Sequence, residues 1–242
     1  MVQEDRATAI ENGLTLEIVR GRYAAGSRLP SIRELAQLHD VTPATIQRVV
    51  ARLETRGLIT ARQGSGLRVN DPSASGDVSL IPFWLEAMLD WPERAVAVLR
   101  DFLELRRMIA ARMLVRHREA ILARAAELTA AAAQVDAASA QGLESVREAD
   151  LRFARELLLT TGNIAALGVL NTMGRVLERL PVVAEAMYAE PERNVRSMLE
   201  VLQALVDGEA SAEARIEASI AAVDEQTLTR LEALLHGRRR TR

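Results

Sequence analysis

Three arginines, Arg48, Arg52 and Arg56, recur at every fourth position. On a helix that spacing makes one stripe. Guanidinium groups so arranged suit phosphates and the edges of bases. The stretch opens on Thr42-Pro43. Threonine is a good N-cap, and proline at the first helical position gives up no needed hydrogen bond. The positive end of the helix therefore falls at Thr42, Pro43, Ala44 and Thr45, where a phosphate can sit. Gln47 shares the outer face with Arg48. The competing reading is a basic face that is merely solvated.

Other chemistries lack their residues. The chain has no cysteine, so disulfides, thiolate metal sites and cysteine nucleophiles are excluded. All 31 basic residues are arginine, which removes Schiff-base and P-loop lysines. No Gly-x-Ser-x-Gly occurs, and Gly64-Ser65-Gly66 is not followed by a helix. His39, His117 and His236 lie on three different elements and suggest capping or surface roles. We therefore expect no enzyme, no cofactor and no metal site. No apolar run reaches the roughly 18 residues of a membrane helix, and the polar start is unlike a signal peptide. A cytoplasmic protein without a membrane partner is expected.

The stripe needs a scaffold, and local signals supply one. Ala7, Ile10, Leu14 and Ile18 predict a helix over about 5–20. Ser31-Ile32-Arg33-Glu34 is a capping box that starts a helix over 32–38. His39-Asp40-Val41 is a tight turn before the arginine helix, which Gly57 ends. Residues 58–62 and 67–69 read as strands around a Gln63-Gly64-Ser65-Gly66 turn. Two short helices, a three-residue turn and a hairpin make a winged helix-turn-helix, with its second helix suited to the major groove. Charge agrees. Residues 20–68 hold nine arginines against three acids, whereas residues 71–242 hold 21 against 26. A basic block on an acidic chain points to a polyanion, here double-stranded DNA.

These residues also resemble a known family. Gly26-Ser27-Arg28-Leu29-Pro30-Ser31-Ile32-Arg33-Glu34-Leu35-Ala36 and Val41-Thr42-Pro43-Ala44-Thr45-Ile46, followed by Leu53 and Gly57-Leu58-Ile59, look like the helix-turn-helix signature of GntR-family transcriptional regulators. The resemblance covers residues 5–70. It implies DNA contacts from Arg33, from Thr42 to Arg48, and from the wing tip Gln63-Gly64, with Arg28 in the same signature. FadR-type members often carry an arginine where Pro43 or Gln47 stands here, so base readout should differ.

Asn70 to Asp77 is polar and rich in small residues, and reads as a linker over 71–77. Residues 1–70 then form the DNA-binding domain and 78–242 an all-α domain. Helices are expected near 79–89, 94–116, 118–140, 144–161, 164–180, 184–188 with 190–207, and 211–236. The fold class is thus mainly α: a winged helix-turn-helix followed by an antiparallel bundle of six to seven helices. Phe102 to Arg107, Asp150-Leu151-Arg152-Phe153 and Thr161-Gly162-Asn163 resemble the effector domain of the FadR branch. Metal-binding members follow the aspartate with a histidine four residues on, and with two later histidines. Here Ala154, Met198 and Ile220 stand at those places. The resemblance then implies the acyl-CoA-responsive side.

Met108, Met113, Met173, Met187 and Met198 could line an adaptable cavity or simply fill the core. Arg106 could anchor an organic acid or acyl-CoA, or could form a salt bridge, for instance with Asp150. Asp150, Asn163, Met173 and Met198 complete the candidate effector site. The expected protein is a homodimer on a palindromic operator, with DNA affinity changed by that effector. The alternative is an effector-free dimer whose bundle only dimerises. Repression or activation would depend on where the operator lies relative to the promoter.

Overall fold

The computed structural model describes residues 5–62 and 66–240. Helix α1 (Arg6–Val19) buries Ala7, Ile10, Leu14 and Ile18. Helix α2 (Ile32–Leu38) starts on a complete capping box. The Glu34 amide donates to Ser31 Oγ over 3.3 Å, and the Ser31 amide donates to Glu34 Oε2 over 2.7 Å. That second bond holds the Glu34 carboxyl below its usual pKa. Asp40 has φ 49° and turns the chain in a left-handed conformation that aspartate tolerates.

Helix α3 (Pro43–Thr55) is capped by Thr42, whose Oγ1 accepts from the Thr45 amide. It buries Ile46, Val49, Val50 and Leu53. Strands β1 (Ile59–Arg62) and β2 (Gly66–Val69) are antiparallel, with Ile59 opposite Val69 and Thr60 opposite Arg68. Arg28 bridges to Arg68, and the Leu29 amide donates to the Leu67 carbonyl over 2.9 Å. The segment after α1 thus adds a third edge to the wing. Gln63, Gly64 and Ser65, where the wing tip is expected, lie outside the described residues.

Residues 71–77, expected to be a linker, contain a short helix α4 (Pro72–Ser75) capped by Asp71. A 3₁₀ turn (Val78–Leu80) and helix α5 (Ile81–Met88) follow. Leu80, Phe83 and Ala87 join the same core as Leu14, Leu53 and Leu58. The first compact unit therefore runs from Met1 to Ala87, past the boundary expected at residue 70. Apolar side chains on α5 need cover, and the head supplies it.

Gly57 fastens this extension. Its carbonyl accepts from the Asn70 side chain and from Ser75 Oγ, each over 2.8 Å. Its φ is +73°, and a Cβ there would run into the Ser75 carbonyl oxygen. Gly57→Ala should therefore destabilise the head by about 2–4 kcal/mol, combining left-handed strain with a backbone clash. Urea unfolding followed by Trp84 fluorescence would read this, because Trp84 packs on that core. An unchanged midpoint would refute it.

The second unit, Met88 to Arg242, is helical throughout its regular structure among the described residues. It comprises α6 (Pro92–Arg116), α7 (Arg118–Leu122), α8 (Ala125–Ala138), α9 (Leu143–Thr160), α10 (Ile164–Arg179), α11 (Pro181–Met187), α12 (Pro191–Asp207) and α13 (Ala212–Arg240). A 3₁₀ turn (Ser139–Gln141) separates α8 from α9. The long α13 packs along α6, α11 and α12. Leu99 and Leu103 of α6 and Ile216 and Leu231 of α13 are almost fully buried.

The single helix expected over 118–140 is broken at Ala123–Arg124. There Arg124 donates to Glu127 and to Thr160 Oγ1 of α9. Tertiary bonds outweigh the alanine-rich propensity at this point.

Candidate nucleic-acid interface and ligand cavity

Arg33 of α2 and Arg48 of α3 are exposed, and neither has a side-chain partner among the described residues. With Gln37, Thr42, Pro43 and Thr45 they line one open depression at the start of α3. Gln47 and Ala44 are exposed on the same helix. Thr42 Oγ1 lies 3.0 Å from Thr45 Oγ1, so both hydroxyls sit at the positive helix end. Arg28, Arg62 and Arg68 are exposed around the wing. Arg28 and Arg68 face each other across a β-bridge, where like charges repel. The outward alternation of Arg62 and Arg68 in two predicted strands could have flagged them.

The expected stripe does not survive as three open arginines. Arg52 Nη1 donates to Glu11 Oε2 and Thr8 Oγ1, each over 3.1 Å. Arg56 Nη2 lies 2.8 Å from Glu11 Oε1, and its guanidinium stacks 5.3 Å from the Phe83 ring centre. Glu11 is 4% exposed. Arg52, expected among the DNA contacts, is instead tied to α1. Arg48 is the member of the stripe that stays open. Glu11 gave no signal in sequence, because it reads as one more position of an amphipathic helix.

The second unit holds a cavity of about 180 Å³ between α6, α9, α10, α11, α12 and α13. Arg106, Asp150, Met173 and Met198 all line it, as do Met113 and Met187. Asn163 does not. Its side chain caps α10, accepting from the Ala166 amide over 3.1 Å. Met108 is 57% exposed and lies outside the lining.

Arg106 is salt-bridged, but to Asp224 of α13 rather than to Asp150, over 2.6 Å. Arg107 meets the other oxygen of Asp224 over 3.2 Å. Asp224 is fully buried, and that burial pushes its carboxyl pKa up. Asp150 Oδ2 accepts from the Tyr188 hydroxyl over 2.7 Å. Among the described residues, no group of three or more histidine, cysteine or acidic side chains could hold a metal. His236, expected at a helix end, lies inside α13, where its Nδ1 is 2.9 Å from the Glu232 carbonyl oxygen.

Burial raises the Asp150 carboxyl, while the Tyr188 hydroxyl and Arg106 pull it down. A carboxyl raised on folding stabilises the protein below its unfolded pKa of about 3.9, and that contribution is lost as pH rises through the folded value. Asp150→Asn should thus be more stable than the parent at pH 7, with the advantage shrinking at pH 4. Urea midpoints of both proteins at the two pH values would show it. A less stable variant at pH 7 would contradict the expectation.

No helix among the described residues is long and apolar enough to cross a membrane. Residues 6–69 match the family described as bacterial regulatory proteins, gntR family. The chain is 40% identical over 58 residues to the Uxu operon transcriptional regulator of Escherichia coli, covering 24% of this chain and 23% of that protein. It is 33% identical over 177 residues to an uncharacterized HTH-type transcriptional regulator, Rv0494, of Mycobacterium tuberculosis, covering 70% and 65%. The chain thus spans less than two thirds of either relative. These relatives are named as transcriptional regulators rather than enzymes. A solved structure described as "Lar controls the expression of the Listeria monocytogenes agr system and mediates virulence" shares the fold. Its TM-score is 0.57 at 16% identity, over 94% of this chain and 98% of that one. Arg33, the Thr42 cap and Arg48 thus stand on a winged helix-turn-helix, within the residues 6–69 that match the gntR family of bacterial regulatory proteins.

Proposed function

We propose that this chain is a homodimeric regulator of transcription that reads a palindromic operator, with its DNA affinity set by a small ligand in the helical unit. The observation that carries the reading is the pair of open arginines, Arg33 and Arg48, around the positive end of α3. An exposed arginine left without an acid at a helix start is suited to phosphate or to guanine. The Arg28–Arg68 juxtaposition supports it, since a phosphate between them would relieve their repulsion. Arg62 belongs to the same basic surface. Gln47, Thr45, Ala44 and Pro43 would meet base edges at the first turn, and Gln63 and Gly64 the backbone beside it. The site of action would be the cytoplasm.

Leu105, Met108 and Ile109 are exposed at helical spacing on α6 and offer an apolar stripe for twofold pairing. The cavity favours a ligand-responsive bundle over the effector-free alternative. It is smaller than the roughly 300 Å³ at which drug-sized pockets begin. It has no room for the nucleotide portion of an acyl-CoA. Selection from random duplexes with the full chain should enrich a palindrome with half-sites about 10–10.5 base pairs apart, and light scattering should give the mass of two chains. A monomer, or a selected sequence without twofold symmetry, would overturn the reading.

A further inference from the structure

The cavity in the second unit carries two cations in its wall, and the charge of each is paired with an acid. Arg106 and Arg107 share Asp224. Arg107 Nε also lies 3.9 Å from Glu217 Oε1. Two arginines therefore face two acids of α13, before Asp150 is counted. With these pairs ionised, the arginine charge in the wall is offset from behind the lining. An anion entering here would have to compete with Asp224 for a guanidinium, leaving that fully buried carboxylate with one partner in place of two.

Besides Arg106 Nε and Arg107 Nε, which are buried without a hydrogen bond, one uncharged side chain in the wall lacks a partner among the described residues. Asn194 of α12 lines the cavity and is 7% exposed. Its carboxamide has no hydrogen-bond partner among the described residues. A buried amide carries two donors and an acceptor, and leaving them unmet is costly. Ser197, one turn on, also lines the cavity, but its hydroxyl is engaged by Ser219 Oγ over 2.9 Å. Most of the remaining wall is apolar, with Met113, Phe153, Leu170 and Met173 among it. An apolar cavity of about 150 Å³ holds a single benzene ring, so about 180 Å³ admits one ring, or a chain of about six carbons, with a small polar group.

From these observations we infer that the cavity binds an uncharged, mainly apolar small molecule of about that size, held by a hydrogen bond to Asn194. This inference rests on the reading that the helical unit is ligand-responsive, and it replaces the organic acid expected from sequence. Selectivity comes from charge balance: a neutral ligand is favoured because the arginine charges are already offset, chiefly by Asp224.

The test uses the full chain and isosteric probes that differ in charge. Benzyl alcohol, benzoate and benzylamine form one set; 1-hexanol, hexanoate and hexylamine form the other. Binding is read by calorimetry and by methyl NMR shifts of the lining methionines at pH 7. The alcohol of at least one set is expected to bind at least tenfold more tightly than its charged partners. Asn194→Leu should weaken that alcohol roughly fivefold to tenfold, the size of one lost buried hydrogen bond. Asp224→Asn frees a guanidinium and should invert the order, so that the carboxylate now binds best. Should that variant fail to fold, Asn194→Leu and the wild-type ranking still decide.

A carboxylate or amine that binds wild type as well as its alcohol would overturn the inference while leaving a ligand-responsive bundle intact. An alcohol unaffected by Asn194→Leu would remove Asn194 as the anchor and overturn it as stated. No binding by any of the six probes would overturn both this inference and the ligand-responsive reading.

Discussion

Arg48→Ala is expected to weaken operator binding by roughly ten- to a hundredfold while the dimer stays intact. This corresponds to the ~1–3 kcal/mol of one base-directed arginine. Arg33→Ala should lose a similar amount, because both guanidiniums line the same depression beside Thr42 and meet no acid among the described residues. Arg52→Ala provides the contrast. Its guanidinium is held by Glu11 and Thr8, so this variant should keep most of its DNA affinity. Fluorescence anisotropy against the selected operator would rank the three. The logarithm of affinity should also fall steeply with the logarithm of salt concentration, with a shallower slope for any variant that loses a phosphate contact. If Arg52→Ala were the most damaged and Arg48→Ala the least, the interface would lie on the other side of α3.

Glu11→Ala should also lower the stability of the head substantially. One carboxylate, with its side chain 5% exposed, bridges Arg52 and Arg56. Removing one member of a fully buried ion pair costs about 3–5 kcal/mol. Both arginines keep some contact with water, at 43% and 28% side-chain exposure, so screening lowers the expectation to about 2–3 kcal/mol. For a unit of this size that is a fall of roughly 10–20 °C in its melting temperature. Arg56 Nη1 is already buried without a hydrogen bond, and losing Glu11 would leave its guanidinium more exposed to that deficit. Calorimetry of the full chain, with Trp84 fluorescence assigning the transition, would measure it. A shift below about 3 °C, under 1 kcal/mol for such a unit, would show that the clasp contributes little.

What was legible in sequence was local. The Ser31–Glu34 capping box, the Thr42-Pro43 start and the Gly57 stop each act over three or four residues, and each appears where its chemistry demands it. The arginine spacing was legible as well, but its meaning was not. Glu11 reaches Arg52 across 41 positions of chain, and Asp224 reaches Arg106 across 118. No period or motif encodes which acid will meet which arginine. The same limit explains Asn163, which reads equally well as a pocket residue and as the N-cap it is. It also explains Asn194, whose importance comes from the lack of a partner in a wall assembled from six helices.

The match to the family ends at Val69, whereas the folded head ends at Ala87. A unit of inheritance and a unit of stability therefore have different borders here. Anyone grafting this head onto another helical unit, or a foreign head onto this one, would naturally cut at the first border. That cut would strip Leu80 and Phe83 from the core and leave Arg56 without the ring beneath it. The useful splice point is after Ala87, where the exchanged cassette carries its own hydrophobic floor.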